Sequence, residues 1–366
     1  MNRIKRKIIL EDGSEYEGYA FGSESKKLLE LVFNTSMAGY QEILTDPSYT
    51  GQAVVMTYPV IGNYGINDDD METKRPSIGA MIVREYTDTP SNFRCSRTLS
   101  DFMKKHDIAG VYGIDTRKLT MKIRNYGSCK AMITSVDITK DKALKQLQSF
   151  EYPTDHVRNV STTAMWQTDN MNEEGLLHVA AIDCGIKLNI VRELVAHGCK
   201  VSVLPYNTTP DKIDRLKPDG VFISNGPGDP ADVKETIELI KGIKGRYPLF
   251  GICLGHQMLS IAYGAKTYKL KFGHRGGNHP VKDLRTGRID ITSQNHSYAV
   301  DITSLEGTGL EVSHINILDD TVEGVRHVSD PSFGIQYHPE ACPGPCDAVH
   351  LFDRFIEMMK GGSANA

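Results

Sequence analysis

Apolar and polar positions change rhythm once along the chain. Up to about residue 150, short apolar runs alternate with turn-rich polar stretches. Lys7-Ile-Ile-Leu10, the turn at 11–14 and the run 16–21 read as a β-hairpin, with further strands at 29–33, 52–58, 77–83 and 108–114. Residues 98–106 read as a helix. Asp115 is placed to N-cap another that carries Leu119 and Ile123 on one face and stops near Gly127. A strand at 130–135 and a charged helix at 140–148 close this part. Residues 33–49 are polar and rich in small residues, which by pattern alone gives a structured surface loop, and 61–70 is a turn-rich acidic loop exposed to solvent. The stretch 151–175 lacks apolar periodicity and mixes Pro, Asn, Thr and acidic residues, the composition of a linker.

From His178 onward, strands and helices alternate: strands at 179–182, 200–204, 220–224 and 248–252, and helices at 188–197, 210–216 and 232–243, with one more ending at Gly264. Buried apolar strands separated by helices predict a doubly wound, mainly parallel sheet whose functional site lies at the carboxyl ends of the strands. Beyond Ala265, runs at 266–272, 288–292, 311–317 and 321–327 read as antiparallel strands, and 293–298 is a polar island between two of them. A last helix at 348–359 carries Val349, Phe352, Phe355, Ile356 and Met359 on one face, as a core helix does. The fold class expected is therefore α/β, with a mixed α/β domain at 1–150, a linker at 151–175 and the doubly wound domain at 176–362.

A chain of 366 residues exceeds what one core usually supports, in keeping with two domains. A net charge of -4 with scattered basic residues gives no reason to expect nucleic acid, and the basic cluster at Arg3 to Lys7 reads as a solvated terminus. No apolar run approaches the roughly 18 residues of a membrane span, and Glu11-Asp12 interrupts the first apolar run too early for a signal peptide. A cytosolic protein follows. Seven cysteines at irregular spacings fit reduced thiols better than a disulfide framework, so the sequons at Asn34, Asn159, Asn207 and Asn295 carry no glycosylation meaning. Cys342 and Cys346 lack a second Cys/His pair at zinc spacing, and no metal is expected on them.

Candidate chemistry gathers in two short stretches. Gly251-Ile-Cys-Leu-Gly-His-Gln257 places Cys253 between an apolar strand and a helix, flanked two residues away on each side by glycine. This is the spacing of a nucleophile elbow, in which the helix N-terminus favours a thiolate and free N–H groups can hold an oxyanion. Taken alone, the same pattern fits a buried structural cysteine on a tight turn. Gln336-Tyr-His-Pro-Glu340 follows a strand and offers His338 as base and acid, with Glu340 to orient it. Alone, this would be a loop with a surface histidine. Together they compose a Cys-His-Glu triad suited to acyl transfer. There is no Gly-Lys-Ser/Thr P-loop, and the Gly-Pro-Gly turn at Gly226 is not a dinucleotide fingerprint.

With Ser224-Asn-Gly-Pro-Gly-Asp-Pro230, these stretches resemble the three signatures of class I glutamine amidotransferases, in that family's order. The runs 33–49, 113–120, 271–281 and 340–347 are further similar to the small, glutamine-hydrolysing subunits of carbamoyl-phosphate synthetases, and that likeness is weakest at 140–176. The resemblance implies that Cys253 attacks the carboxamide of L-glutamine, that His338 shuttles the proton and that Glu340 orients His338. It implies an oxyanion held by the N–H groups of Leu254 and Gly228. It also implies glutamine contacts at Gly226, Gly228, Leu254, Gln257, Asn295, Ser297 and Tyr298, with Ser48 reached from the first domain. Ammonia would pass to a large synthetase subunit, where ATP, bicarbonate and a divalent metal would be used, leaving no cofactor on this chain. Ser297 stands where such proteins commonly have glycine, which raises the question of a φ > 0 backbone there. Cys342 replaces a small residue, and neither it nor Cys346 is expected in the chemistry. Two other readings stay open: a free-standing γ-glutamyl hydrolase with the same triad, and a silent assembly subunit.

Overall fold

The computed structural model describes residues 4–341 and 343–361. Arg3, Cys342 and the expected domain end at residue 362 lie outside these. The chain divides into two compact units, Met1–Pro153 and Thr154–Ala366.

In the first unit, seven strands close into a barrel in the order Lys5–Leu10, Glu15–Gly22, Ala109–Tyr112, Ala80–Ile82, Gln52–Met56, Lys27–Asn34 and Cys129–Ser135, with the last pairing back on the first. The ladders joining Ala109–Tyr112, Ala80–Ile82, Gln52–Met56 and Lys27–Asn34 are parallel, and the rest are antiparallel. Closure leaves these strands no open edge. Helix Thr116–Tyr126 forms for the reasons the sequence offers. The Asp115 carboxylate accepts from Lys118 N at 2.9 Å, Leu119 and Ile123 are buried, and Gly127 at φ 103° ends it.

Residues 33–49 are not a surface loop. Tyr40–Thr45 is a helix and Pro47–Tyr49 a single 3-10 turn, with Tyr40, Ile43, Leu44 and Tyr49 buried. The polar residues go inside because each finds a partner: Gln41 Nε2 donates to Asn67 O at 2.7 Å while Asn67 N donates to Gln41 Oε1 at 2.9 Å. The acidic loop after it is tied by ion pairs of Asp70 with Arg94 and of Asp68 with Arg97.

The stretch expected to be a linker also differs. From Thr154 it belongs to the second unit. Val157 is buried on helix His156–Val160, and Trp166–Gln167 is an antiparallel edge strand with Trp166 opposite Val203. It packs through single anchors, which leave no periodic signature.

The second unit is built on a ten-stranded sheet: Trp166–Gln167, Cys199–Pro205, Leu177–Asp183, Gly220–Ile223, Leu249–Ile252, Ser332–Ile335, Val322–His327, Ile289–Val300, Thr267–Asp283 and Leu310–Asn316. The second to sixth of these run parallel, and the other neighbours pair antiparallel. The sheet is thus parallel in one half only. Ser332–Ile335 is the seam, parallel to Leu249–Ile252 on one side and antiparallel to Val322–His327 on the other. In the parallel half, alternate side chains enter two cores. Ile182, Val221 and Leu249 pack with Ile240 and Met258 on one face, and Ala181, Phe222 and Phe250 with Leu194, Phe352 and Phe355 on the other. The polar island 293–298 lies inside strand Ile289–Val300.

Candidate active site

Strand Leu249–Ile252 runs directly into helix Leu254–Tyr263, and Cys253 is the residue between them at φ 54°, ψ -106°. A non-glycine residue held there stores roughly 1–3 kcal/mol of strain, so the surroundings must enforce it. They do so by close approach. A Cβ on Gly255 would lie 2.1 Å from Ile223 O, and one on Gly251 would lie 2.6 Å from the carbonyl of Gly255. The turn is fastened by Cys253 N donating to Ile335 O at 2.8 Å and by Gln257 N donating to Cys253 O at 3.1 Å. The Cys253 thiol, nearly buried, donates to Asn295 O at 3.6 Å. His256, the histidine within the same motif, is fully buried behind the turn against Gly334, and burial lowers its pKa to about 3, so it stays neutral.

His338 follows the seam strand and is pinned by its N–H to Ser293 O at 2.9 Å. Its Nδ1 pairs with Glu340 Oε1 at 2.7 Å. Its Nε2 is buried without a hydrogen-bond partner, and Cys253 is among the groups that raise its pKa. Behind Glu340 stands Lys187, whose Nζ is 3.0 Å from Glu340 Oε1 and donates to Ala341 O at 3.0 Å. Burial alone would push Glu340 towards its neutral form, but the Lys187 ammonium, then His338, hold its pKa down at about 2. Burial likewise opposes charge on His338, yet the Glu340 carboxylate outweighs it against the repulsion of Lys187, and the imidazole is raised to about 10. The arrangement holds His338 in its charged form beside an ionised Glu340.

Lys187 has no place in the sequence-derived site. It arrives on the loop after strand Leu177–Asp183, where Asp183 accepts from Thr162 N, Gly185 N and Ile186 N at 2.7–2.9 Å. Its own N–H donates to Asn225 Oδ1 at 3.2 Å, next to the Gly226 turn. The one signal available was its position at the carboxyl end of a parallel strand.

Comparison with known proteins accounts for both units. The class-I glutamine amidotransferase family model matches residues 180–358, and the model for the CPSase domain of the carbamoyl-phosphate synthase small chain matches residues 8–133. The carbamoyl phosphate synthase small chain of Fusobacterium nucleatum is 55% identical over 96% of this chain and 97% of its own length. That of Staphylococcus saprophyticus is 54% identical over 97% and 96%, and that of Bacillus caldolyticus 54% over 98% and 97%. The chain belongs to the carbamoyl phosphate synthase small chain family. The amidotransferase match lies within the second unit. Among the described residues no helix is long and apolar enough to cross a membrane.

The positions at which family resemblance implies glutamine contacts fall in two places. Gly226, Gly228, Leu254, Gln257, Asn295, Ser297 and Tyr298 all belong to the second unit, whereas Ser48 belongs to the first, buried in the turn Pro47–Tyr49 with its N–H on Asp46 Oδ1 at 2.8 Å. A Cβ on Gly226 would meet Cys184 O at 2.1 Å, and Gly228 takes φ 92°, so both glycines are demanded by the backbone. Gln257 ties the elbow helix to its neighbours, Nε2 donating to Tyr298 O and Gln336 Oε1 at 2.8 Å each. Ser297 is not in a left-handed conformation. It lies within strand Ile289–Val300, and its Oγ accepts from Arg275 Nη2 at 2.5 Å. The extended strand, set by the ladder with Arg275 opposite Asn295, removes the need for glycine there.

Proposed function

We propose that this chain is the glutaminase subunit of a carbamoyl phosphate synthase, hydrolysing L-glutamine to glutamate and ammonia with Cys253, His338 and Glu340. The observation that carries this reading is the Cys253 thiol on its strained turn with His338, Glu340 and Lys187 ranged behind it. With the proton on His338, Cys253 attacks the carboxamide carbon as the thiolate. The tetrahedral oxyanion is received by the N–H groups of Leu254, at the start of the elbow helix, and of Gly228. As the C–N bond breaks, His338 protonates the departing amide nitrogen, which leaves as ammonia, and a glutamyl thioester remains. Water, activated by His338, then displaces sulfur, and the thiol is restored. Glu340, kept ionised by Lys187, steadies the imidazolium in both halves. Gly226, Gln257, Asn295, Ser297 and Tyr298 shape the glutamine site, and Ser48 is the further contact that the family resemblance implies. Ammonia is consumed on a large subunit, where ATP, bicarbonate and a divalent metal are used, in the cytosol; the hydrolysis itself needs no cofactor.

The test is glutamate release by the purified chain, alone and with the large subunit, ATP and bicarbonate. Slow release that rises sharply in the complete mixture, with carbamoyl phosphate formed, is expected. Rapid release indifferent to the partner would point instead to a free-standing hydrolase, and none in either mixture to a silent assembly subunit. Cys253→Ala should abolish synthesis from glutamine and leave synthesis from added ammonia.

A further inference from the structure

On the antiparallel side of the sheet, three buried side chains converge that the hydrolysis does not use. His274 and His296 face each other across the ladder between Thr267–Asp283 and Ile289–Val300, and Glu323 comes from strand Val322–His327. One ligand atom from each lies within 4.8 Å of the others, and all three residues are buried.

Each side chain is already held as a metal ligand would be. His274 Nε2 donates to Asp319 Oδ2 at 2.8 Å, which leaves Nδ1 to point inward. His296 Nδ1 donates to Tyr298 O at 2.8 Å, a bond that needs the hydrogen on Nδ1 and leaves the lone pair on Nε2, which faces the Gln294 Oε1 acceptor at 3.1 Å, so that two lone pairs meet there. Glu323 Oε1 accepts from Asn316 Nδ2 at 3.0 Å, and its Oε2 is buried without a hydrogen-bond partner. A histidine whose other nitrogen donates to a carboxylate or a backbone carbonyl is the usual outer support of a metal-bound imidazole. His274 Nδ1 stands 3.5 Å from Glu323 Oε1 and makes no hydrogen bond of good geometry. That is close to the separation of about 3.4 Å between two ligands on one tetrahedral ion with bonds of about 2.0–2.1 Å.

We propose that His274, His296 and Glu323 bind one divalent transition-metal ion, of which zinc best suits two imidazoles and a carboxylate. The ion ties three neighbouring strands together behind Asn295, Ser297 and Tyr298. The site does not depend on the glutaminase reading, and its tests are read without glutamine.

The full-length chain, freed of metal by chelation, is titrated with cobalt(II) and passed through a desalting column. One cobalt per chain is expected, with visible bands of a four- or five-coordinate ion on nitrogen and oxygen, displaced by zinc, and zinc should raise the unfolding temperature. His274→Asn and Glu323→Gln should lose both effects. Should either variant fail to fold, Asp319→Asn, whose side chain is 42% exposed, keeps the question open to test; it should weaken cobalt binding by about tenfold to a hundredfold. Wild-type chain that takes up no stoichiometric cobalt or zinc overturns the proposal. So do thiolate-to-cobalt charge-transfer bands, or uptake undiminished in His274→Asn and Asp319→Asn.

Discussion

Glu340 shows how far one residue depends on the charges around it. A carboxylate this buried is stable as an anion only because Lys187 and His338 face it, and removing one member of a buried ionic set costs about 3–5 kcal/mol. Glu340→Gln, which keeps the shape, should therefore destabilise the second unit by that order. Its pH dependence has a definite sign. The folded Glu340 sits at about 2, below its ordinary 4.5, so its stabilisation is present above pH 4.5 and is lost as pH falls towards 2. His338 sits at about 10, above its ordinary 6.5, so the same pair is fully stabilising below pH 6.5 and weakens as pH rises through 10. Unfolding measured against pH should show both limbs in the wild type. Both should be reduced together in Glu340→Gln, since both depend on the Glu340 carboxylate, the acid limb through Lys187 and His338 and the basic limb through His338; an unchanged acid limb would mean that other carboxylates set it. Cys253, His338 and Glu340 stand out in the sequence because their motifs are short and specific, and the structure pairs His338 with Glu340. Lys187 was not, because a lysine before a helix reads as surface, and only the fold brings it to Glu340.

Among the elements, the strand Ile289–Val300 is where hydropathy misled most. Gln294, Asn295 and His296 are buried, yet as a polar run they read as a break between strands. Burial is tolerable because the partners are built in: His296 Nδ1 donates to Tyr298 O, Gln294 Nε2 donates to Thr292 Oγ1, and Arg275 reaches Ser297 Oγ. Sequence reports polarity, whereas the register that turns these groups towards one another is set with the bulged strand opposite, which supplies Arg275 and whose register shifts flank His274 to Gly276. Helices such as Thr116–Tyr126, with local caps and a local apolar stripe, were readable in advance for the same reason in reverse. Ser297→Gly tests the strand's contribution. It deletes a hydrogen bond to a charged donor and places glycine in a strand interior, where it costs roughly 0.5–1 kcal/mol. The Michaelis constant for glutamine should rise by about threefold to tenfold, as roughly 1 kcal/mol implies, with synthesis from ammonia unchanged and Ser297→Thr largely restoring the value. A Michaelis constant unmoved in Ser297→Gly would show that the Arg275 contact does not shape the site.

For the whole molecule, sequence reading found two parts and most strands, but neither the closing of the barrel nor the continuation of one sheet across its parallel and antiparallel halves. Both rest on pairings between distant segments, Arg6 with Ser135 and Phe250 with Phe333, which no local pattern announces. The boundary was displaced for a related reason, since 154–175 is ordered by what it touches. Trp166, the single tryptophan, turns that difference into a measurement. In a solvated linker its emission would be that of an exposed indole, indifferent to folding. As a half-buried edge residue paired with Val203 and packed against the core of the second unit, it should emit at shorter wavelength in the native protein and shift to the red on denaturation. Because it belongs to that unit alone, its transition should coincide with loss of glutaminase activity, while far-ultraviolet circular dichroism reports both units. Separate midpoints for the two signals would mean that the barrel and the amidotransferase unit unfold independently. An emission maximum that does not move on denaturation would return 154–175 to the status of a linker.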